Sequence, residues 1–346
     1  MAINFEGSLT GPTGEIRHFS QQAFVKLASD LSRCFICGTS EADSQFDCEH
    51  VIPDWLLSRY CLHSKRITLP NGHQQMYGRY TIRCCKICNG HLGKTIETPI
   101  SQIFVGDLHA IRDGLQACSQ ALLYQWLCLL FIKIHLKDRE FRADPDERNE
   151  SVQISEFYDW DGLHHIHSVA RATHSGAIID DSVPGTTFFF EMASNHEEFD
   201  LNSLSDYSTI LVRIGSVGIV SVLNDCGFVG PMVSEFLSGI SGPMSAIQLR
   251  EVAARLAYGN KLLTNRPNFW SELERDEILT IRSRPPVPGE RGEIDRAELG
   301  HLIAHSCGPL LMNSHTPDPE EKIRQLQRGE IQLIYHDDGS FIRDEE

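Results

Sequence analysis

Three stretches of this 346-residue chain decide how its N-terminal part folds: CFIC (residues 34–37), CEHVIP (48–53) and CKICN (85–89). Two residues between a pair of cysteines place both sulfurs on one side of a tight turn, which suits tetrahedral zinc with bonds of about 2.3 Å. Two such pairs supply four ligands, so Cys34, Cys37, Cys85 and Cys88 are predicted to hold a structural zinc ion. Cys84 is a competing neighbour, but only Cys85 has CxxC spacing to Cys88. The alternative is a set of buried free cysteines.

Short elements are predicted around these stretches. Residues 20–32 have helical apolar spacing, and residues 49–53 should be extended because the residue before a proline avoids helical angles. A helix can follow that proline and continue through CL at residues 61–62. Asn71-Gly72 is a hairpin-turn signal between two short strand candidates. The segment after the second cysteine pair can form a helix that ends before Pro99.

Charge is distributed unevenly along the chain. Residues 1–100 contain ten Lys and Arg against nine Asp and Glu, whereas the rest contains 21 basic and 38 acidic residues. Residues 55–96 contain no acidic residue at all. A polyanion can dock on such a segment by releasing counterions, although a solvated surface is the alternative. Four basic side chains are the predicted nucleic-acid contacts: Arg79, Arg83, Lys86 and Lys94.

The order CFIC, CEHVIP, CKICN resembles the HNH, or ββα-metal, endonucleases, in the subclass with CxxC zinc knuckles to which recombination endonuclease VII belongs. That family has a CxxC pair, an acidic residue and His, and a second CxxC pair followed by Asn or His. The resemblance covers residues 30–97 only. Many members also carry an Asn about five residues before the second pair, where this chain has Arg79-Tyr80. Glu49 stands where Asp is common.

The resemblance implies a mechanism. His50 would act as general base, taking a proton from the water that attacks a backbone phosphorus. Glu49 and Asn89 would hold one catalytic Mg²⁺ or Mn²⁺, which stabilises charge in the transition state and on the leaving oxygen. Zinc would fix the hairpin against the helix without taking part in the chemistry. Asn89 could alternatively only cap the following helix.

The remaining sequence is less informative about function. ALLYQWLCLLFIKIHL (residues 121–136) is short for a membrane span and contains Gln125 and Lys133, so we expect a buried core helix. A polar stretch at 138–152 is the best domain boundary. Three histidines, His164, His165 and His167, could bind a metal, but a structural role is favoured; alternation along a strand would place His165 and His167 on one face.

The predicted fold class is α+β: a zinc-stabilised ββα-metal module at 1–100, a helical connector at 101–145 and an acidic α+β domain at 146–346. GTTFFFEMAS and STILVRIGSVGIVSVL are strand candidates in the last part, and AIQLREVAARLAYGNKLL and PEEKIRQLQRG are helix candidates. That domain would sense a signal, bind a protein partner or mediate homo-oligomerisation. The N-terminus has no apolar signal-peptide core, and a cytoplasmic protein without a membrane partner is expected.

The function expected from these features is metal-dependent cleavage of nucleic-acid phosphodiesters, with DNA favoured. A restriction or anti-phage defence role is an expectation by analogy alone. Two alternatives remain open. The zinc module could bind nucleic acid or protein without cleaving, or the chain could be an RNA-cleaving toxin.

Overall fold

The computed structural model describes residues 1–146, 148–194, 198–274, 276–286, 292–314 and 316–343. The chain forms two compact units. The first comprises Met1–Val183 and Phe269–Ser283, and the second comprises Pro184–Asn268 and Arg284–Glu346. The polar stretch at 138–152 therefore lies inside the first unit.

Runs of helices and runs of strands follow one another along the chain, which gives the mixed α+β class expected from the sequence. The helices are α1 (Gln21–Ser29), α2 (Asp54–Arg59), α3 (Lys86–Leu92), α4 (Thr98–Ile103), α5 (Leu108–Ala117), α6 (Gln120–Asp138), α7 (Trp160–Ala170), α8 (Ala172–Ser175), α9 (Val229–Ser238), α10 (Ala246–Lys261), α11 (Arg296–Asn313) and α12 (Pro319–Gln327). The strands are β1 (Ala2–Ile3), β2 (Leu9–Thr10), β3 (Ile16–His18), β4 (Phe46–His50), β5 (Arg66–Thr68), β6 (Gln74–Met76), β7 (Thr81–Cys85), β8 (Ile178–Ile179), β9 (Thr187–Glu191), β10 (Phe199–Leu204), β11 (Thr209–Ile214), β12 (Val217–Val222), β13 (Asn268–Leu273) and β14 (Leu279–Arg284).

The first unit contains an antiparallel pair, β4 and β7, followed directly by α3. The register pairs Phe46 with Cys85 at one end and His50 with Thr81 at the other. The hairpin β5–β6 is inserted between the two strands, and its turn contains Gly72 at a φ of 79°, as Asn-Gly predicts. This strand–strand–helix unit brings the second cysteine pair next to the first.

The helix predicted to end before Pro99 continues past it, so that expectation was wrong. A π-helical turn spans Gly93–Glu97, and Thr98 donates its N–H to the carbonyl of Gly93. The α-helical hydrogen-bond pattern is thus already interrupted where Pro99, which has no N–H, enters the first turn of α4. The helix predicted after Pro53 ends at Arg59, earlier than expected, because the chain turns through Cys61 at a φ of 50°.

Helix α6 forms the centre of the first unit. Its side chains are buried from Leu123 to Asp138, which agrees with the core helix predicted from its apolar sequence. It packs against α7, against β7 and against the π-helical turn. The buried stretch includes Lys133, whose ammonium group must therefore find partners inside the protein.

The second unit is built on a four-stranded antiparallel sheet in the order β10-β11-β12-β9. Strands β11 and β12 are buried at every position, and α10 packs against both. Ser245 caps α10 in a reciprocal capping box with Gln248. Helices α10, α11 and α12 pack in succession. The strand and helix candidates of this region are confirmed.

Among the described residues, no single helix is long and apolar enough to cross a membrane. Taken together, α5 and α6 have the length and composition of a span, but they meet at a bend of 104°.

Candidate metal centre and adjoining polar cluster

The four predicted zinc ligands come together in the folded chain. The sulfurs of Cys34, Cys37, Cys85 and Cys88 all lie within 4.8 Å of one another. Cys37 Sγ and Cys85 Sγ are 3.7 Å apart, close to the edge of about 3.8 Å that a tetrahedron with 2.3 Å zinc–sulfur bonds requires. Gly38, at a φ of 78°, closes the first turn. Spacing and donor type therefore fit a metal ion such as zinc.

Cys84 lies beside this cluster. Its sulfur is 3.7 Å from Cys34 Sγ, yet the group of mutually close ligands found among the described residues contains Cys85 instead. Adjacent residues of a strand point to opposite faces, so only one of the two can join Cys88 on the metal side. The Cys85 sulfur also accepts the N–H of Cys88 at the start of α3. The preference for Cys85, predicted from spacing, agrees with this geometry.

Three of the four cluster cysteines, Cys34, Cys85 and Cys88, have thiol pKa values shifted by their neighbours and by burial. Hydrogen bonds from neighbouring thiols, that of Cys37 foremost, hold the pKa of Cys34 far below its usual range. The pKa of Cys88 is raised, chiefly by its hydrogen bond with Cys34, and burial raises the pKa of Cys85 to about 11. A metal ion that replaces these protons would remove the competition, because thiolates are the ligands zinc binds.

Helix α7 holds the first cysteine turn in place. His167 Nε2 donates to the carbonyl of Phe35 at 2.7 Å, and Arg171 Nε donates to that of Ile36 at 2.8 Å. Burial lowers the pKa of His167 well below its usual value, so this ring is a neutral donor. Both carbonyls belong to the loop between the first two cysteines. These side chains act on the metal centre without ligating it.

The strand predicted for the three histidines near residue 165 was wrong, because they lie on helix α7. The helical repeat puts His164 and His167 on the same face, where His164 Nε2 donates to Phe19 O at 2.8 Å. His165 stacks on Phe269 with ring centroids 3.6 Å apart. The favoured structural role agrees with these contacts.

A buried ionic cluster lies behind the Glu49-His50 pair. The ammonium of Lys133, on α6, contacts Glu49 Oε1 at 2.8 Å, Glu97 Oε1 at 3.2 Å and the carbonyl of His50 at 2.8 Å. Burial alone would lower the pKa of Lys133, but the two carboxylates raise it above its usual value. Burial raises the pKa of Glu97 despite the neighbouring ammonium. The acidic residue of the Glu49-His50 pair is therefore anchored to the core helix.

His50 faces the other way, towards solvent. Its side chain is 27% exposed at the end of β4, and its Nδ1 lies 3.9 Å from Asp54 Oδ1. The same carboxylate oxygen accepts a hydrogen bond from His63 Nε2 at 2.9 Å, which lowers the pKa of Asp54. The ligand atoms of these three residues lie within 4.8 Å of one another. Asp54 and His63 were not singled out from the sequence.

Asn89 lies on α3, directly after the last cysteine, and is partly buried. Helix α3 packs on both β4 and β7, the strand pair that also carries Glu49 and His50. Next to it, His174 Nδ1 is 3.8 Å from Cys88 Sγ. The structure thus brings Asn89 into the same strand–strand–helix unit as the other two predicted site residues.

The four predicted nucleic-acid contacts are all exposed: Arg79, Arg83, Lys86 and Lys94. They lie on β7, on α3, on the π-helical turn and in the turn before β7. Arg83 Nε is engaged with Glu41 Oε1 at 2.7 Å. Exposure is what a phosphate contact requires, and it is equally compatible with a solvated surface.

Comparison of the chain with known protein families, with curated proteins and with solved structures finds no match.

Proposed function

We propose that the first unit is a metal-dependent endonuclease that hydrolyses nucleic-acid phosphodiester bonds, with DNA as the favoured substrate. The supporting observation is the β4–β7–α3 arrangement. The pair Glu49-His50 ends β4, the four-cysteine cluster ties the turn that carries Cys34 and Cys37 to the junction of β7 and α3, and Asn89 follows on α3. This is the order of elements that the HNH resemblance requires.

His50 would act as the general base. A partly exposed imidazole can reach a water molecule on a bound phosphodiester, and a histidine is well suited to accept a proton near neutral pH. The hydrogen bond from Lys133 to the carbonyl of His50 fixes the backbone at this position. The water oxygen attacks phosphorus, its proton passes to the imidazole, and the bond from phosphorus to the leaving oxygen breaks.

Glu49 and Asn89 would hold the catalytic cation. A carboxylate and an amide oxygen are hard donors of the kind Mg²⁺ or Mn²⁺ takes, and a bound cation would supply charge stabilisation at the phosphate. With both glutamates ionised, the Glu49–Lys133–Glu97 cluster has one more negative than positive charge. That excess favours a cation beside it. Glu97 was not expected from the resemblance.

Supercoiled plasmid tests the proposal. Zinc-loaded protein with Mg²⁺ or Mn²⁺ should nick or linearise the plasmid, and His50→Ala should slow cleavage about 100-fold or more. His109→Ala is the matched control, because His109 is also close to a carboxylate, that of Asp113, but lies on α5. Equal rates for wild type and His50→Ala would contradict the role of His50. An RNA of matched length, tested in parallel, decides between DNA cleavage and an RNA-cleaving toxin.

One observation favours the second candidate, a zinc module that binds without cleaving. The fully buried ammonium of Lys133 already neutralises Glu49, which weakens the demand of that carboxylate for a metal ion. Such a module would bind the plasmid and slow its migration in a mobility-shift assay with Mg²⁺ present. The plasmid would stay supercoiled. His50→Ala would then have no effect on either readout.

A further inference from the structure

The group formed by His50, Asp54 and His63 has the composition of a transition-metal site. Its donors are two imidazole nitrogens and one carboxylate. Zn²⁺, Ni²⁺, Co²⁺ and Cu²⁺ bind imidazole well, whereas Mg²⁺ prefers sites made of oxygen ligands alone. The three ligand atoms already lie within 4.8 Å of one another. Ligands 2.1 Å from a tetrahedral ion are about 3.4 Å apart, so small side-chain rotations would complete the site.

Each of the three residues is held by a different element. His50 ends β4, and its carbonyl is bonded to Lys133. Asp54 is the first residue of α2. His63 precedes β5, and its carbonyl accepts the N–H of Gly78 at 3.1 Å. A Cβ at Gly78 would lie 2.9 Å from that same carbonyl oxygen, so only glycine allows this close approach.

The site is open to solvent. The side chains of His50, Asp54 and His63 are 27%, 63% and 46% exposed. An ion can therefore enter without any rearrangement of the core, and water can fill its remaining coordination positions. The site is separate from the four-cysteine cluster, whose sulfur ligands come from other residues.

We propose that His50, Asp54 and His63 bind one divalent transition-metal ion, and that this ion inhibits the nuclease by withholding His50 from proton transfer. The second part rests on the proposed function. An imidazole that ligates a metal through Nδ1 carries its proton on Nε2, so neither nitrogen can accept another proton. The same residue therefore serves cleavage when metal-free and stops it when bound.

Calorimetric titration of Ni²⁺ into zinc-loaded, full-length protein tests the binding. Wild type should bind one Ni²⁺ ion at this site. The affinity for that ion should be at least about tenfold lower in His63→Gln and in Asp54→Asn. His109→Gln is the matched control, because it removes an exposed histidine beside Asp113 that, among the residues the structure describes, belongs to no group of three possible metal ligands. Equal affinity in wild type and His63→Gln, with both proteins folded by circular dichroism, would overturn the site.

Plasmid cleavage in Mg²⁺ then tests inhibition. Each protein's rate with Ni²⁺ is divided by its own rate without Ni²⁺, and the half-inhibiting concentration should rise at least about tenfold in His63→Gln. Wild type that binds Ni²⁺ at this site and cleaves undiminished would overturn the inhibition. If none of the proteins cleaves under any condition, the nuclease proposal fails, and the titration still decides the metal site.

Discussion

Replacing Lys133 by methionine removes the ammonium group that lies between the Glu49 and Glu97 carboxylates. The Lys133 side chain is fully buried, and those of Glu49 and Glu97 are 10% and 16% exposed. Removing one partner of a buried ionic group costs about 3–5 kcal/mol, because the remaining charge is left without compensation. For a unit of this size, that corresponds to a fall in Tm of about 6–20 °C.

The loss should depend on pH. Without the ammonium, the Glu97 carboxyl loses the neighbouring charge that lowers its pKa, so its folded-state pKa lies further above the unfolded value of about 4.3. Burial already raises the pKa of Glu97 in the wild type. A raised carboxyl pKa gives stability that is present below the unfolded pKa and lost as pH rises through the folded pKa. The Lys133→Met deficit should therefore be small near pH 4 and largest near pH 8.

The assay is thermal unfolding by circular dichroism at both pH values. Lys137→Met is the control, because Lys137 lies one turn further along α6 and its partner Glu140 is one-third exposed. Lys137 is itself buried, but its loss should be the smaller one, because water solvates the partly exposed Glu140 carboxylate that is left behind. If Lys133→Met is as stable as Lys137→Met at pH 8, the ionic cluster does not hold the Glu49 segment as described.

Three further outcomes are expected. Cys85→Ser should lose bound zinc on dialysis, whereas Cys84→Ser should keep one ion per chain by elemental analysis. Arg79→Ala and Lys94→Ala should each reduce the slope of log affinity for DNA against log salt by about 0.9 if they contact phosphates; an unchanged slope would identify a solvated surface. Arg171→Met should lower the free energy of unfolding in urea by about 3 kcal/mol or more, because it removes hydrogen bonds from a buried guanidinium to the carbonyls of Ile36, Arg17 and Ile16.

The four-cysteine cluster could be predicted because the sequence patterns that specify it each span only a few residues. CxxC spacing fixes how two sulfurs leave one turn, Asn71-Gly72 fixes the hairpin, and alternation along β7 separates Cys84 from Cys85. Each of these patterns acts within a few residues. The strands and helices of the second unit were predictable for the same reason.

The polar surroundings of the centre depend on distant parts of the chain. Lys133 is 84 residues from Glu49, and no periodicity links them. A signal was present, since a lysine within an apolar helical run needs a buried partner, but it does not identify which one. His63 contacts Asp54 because the chain reverses direction after α2. Helix α7 was mistaken for a strand because a run of histidines has no strong preference for either structure.

The hydrogen bonds from α7 to the first cysteine turn bear on how the protein is made. The carbonyls of Phe35 and Ile36 are bonded by side chains that the ribosome adds 132 and 135 residues later. A nascent chain has all four cysteines well before it has these donors. An expression fragment ending soon after Cys88 would contain every sulfur ligand but leave the first turn unsupported. We therefore expect that a fragment must extend at least through Arg171 to retain both of these hydrogen bonds to the first turn.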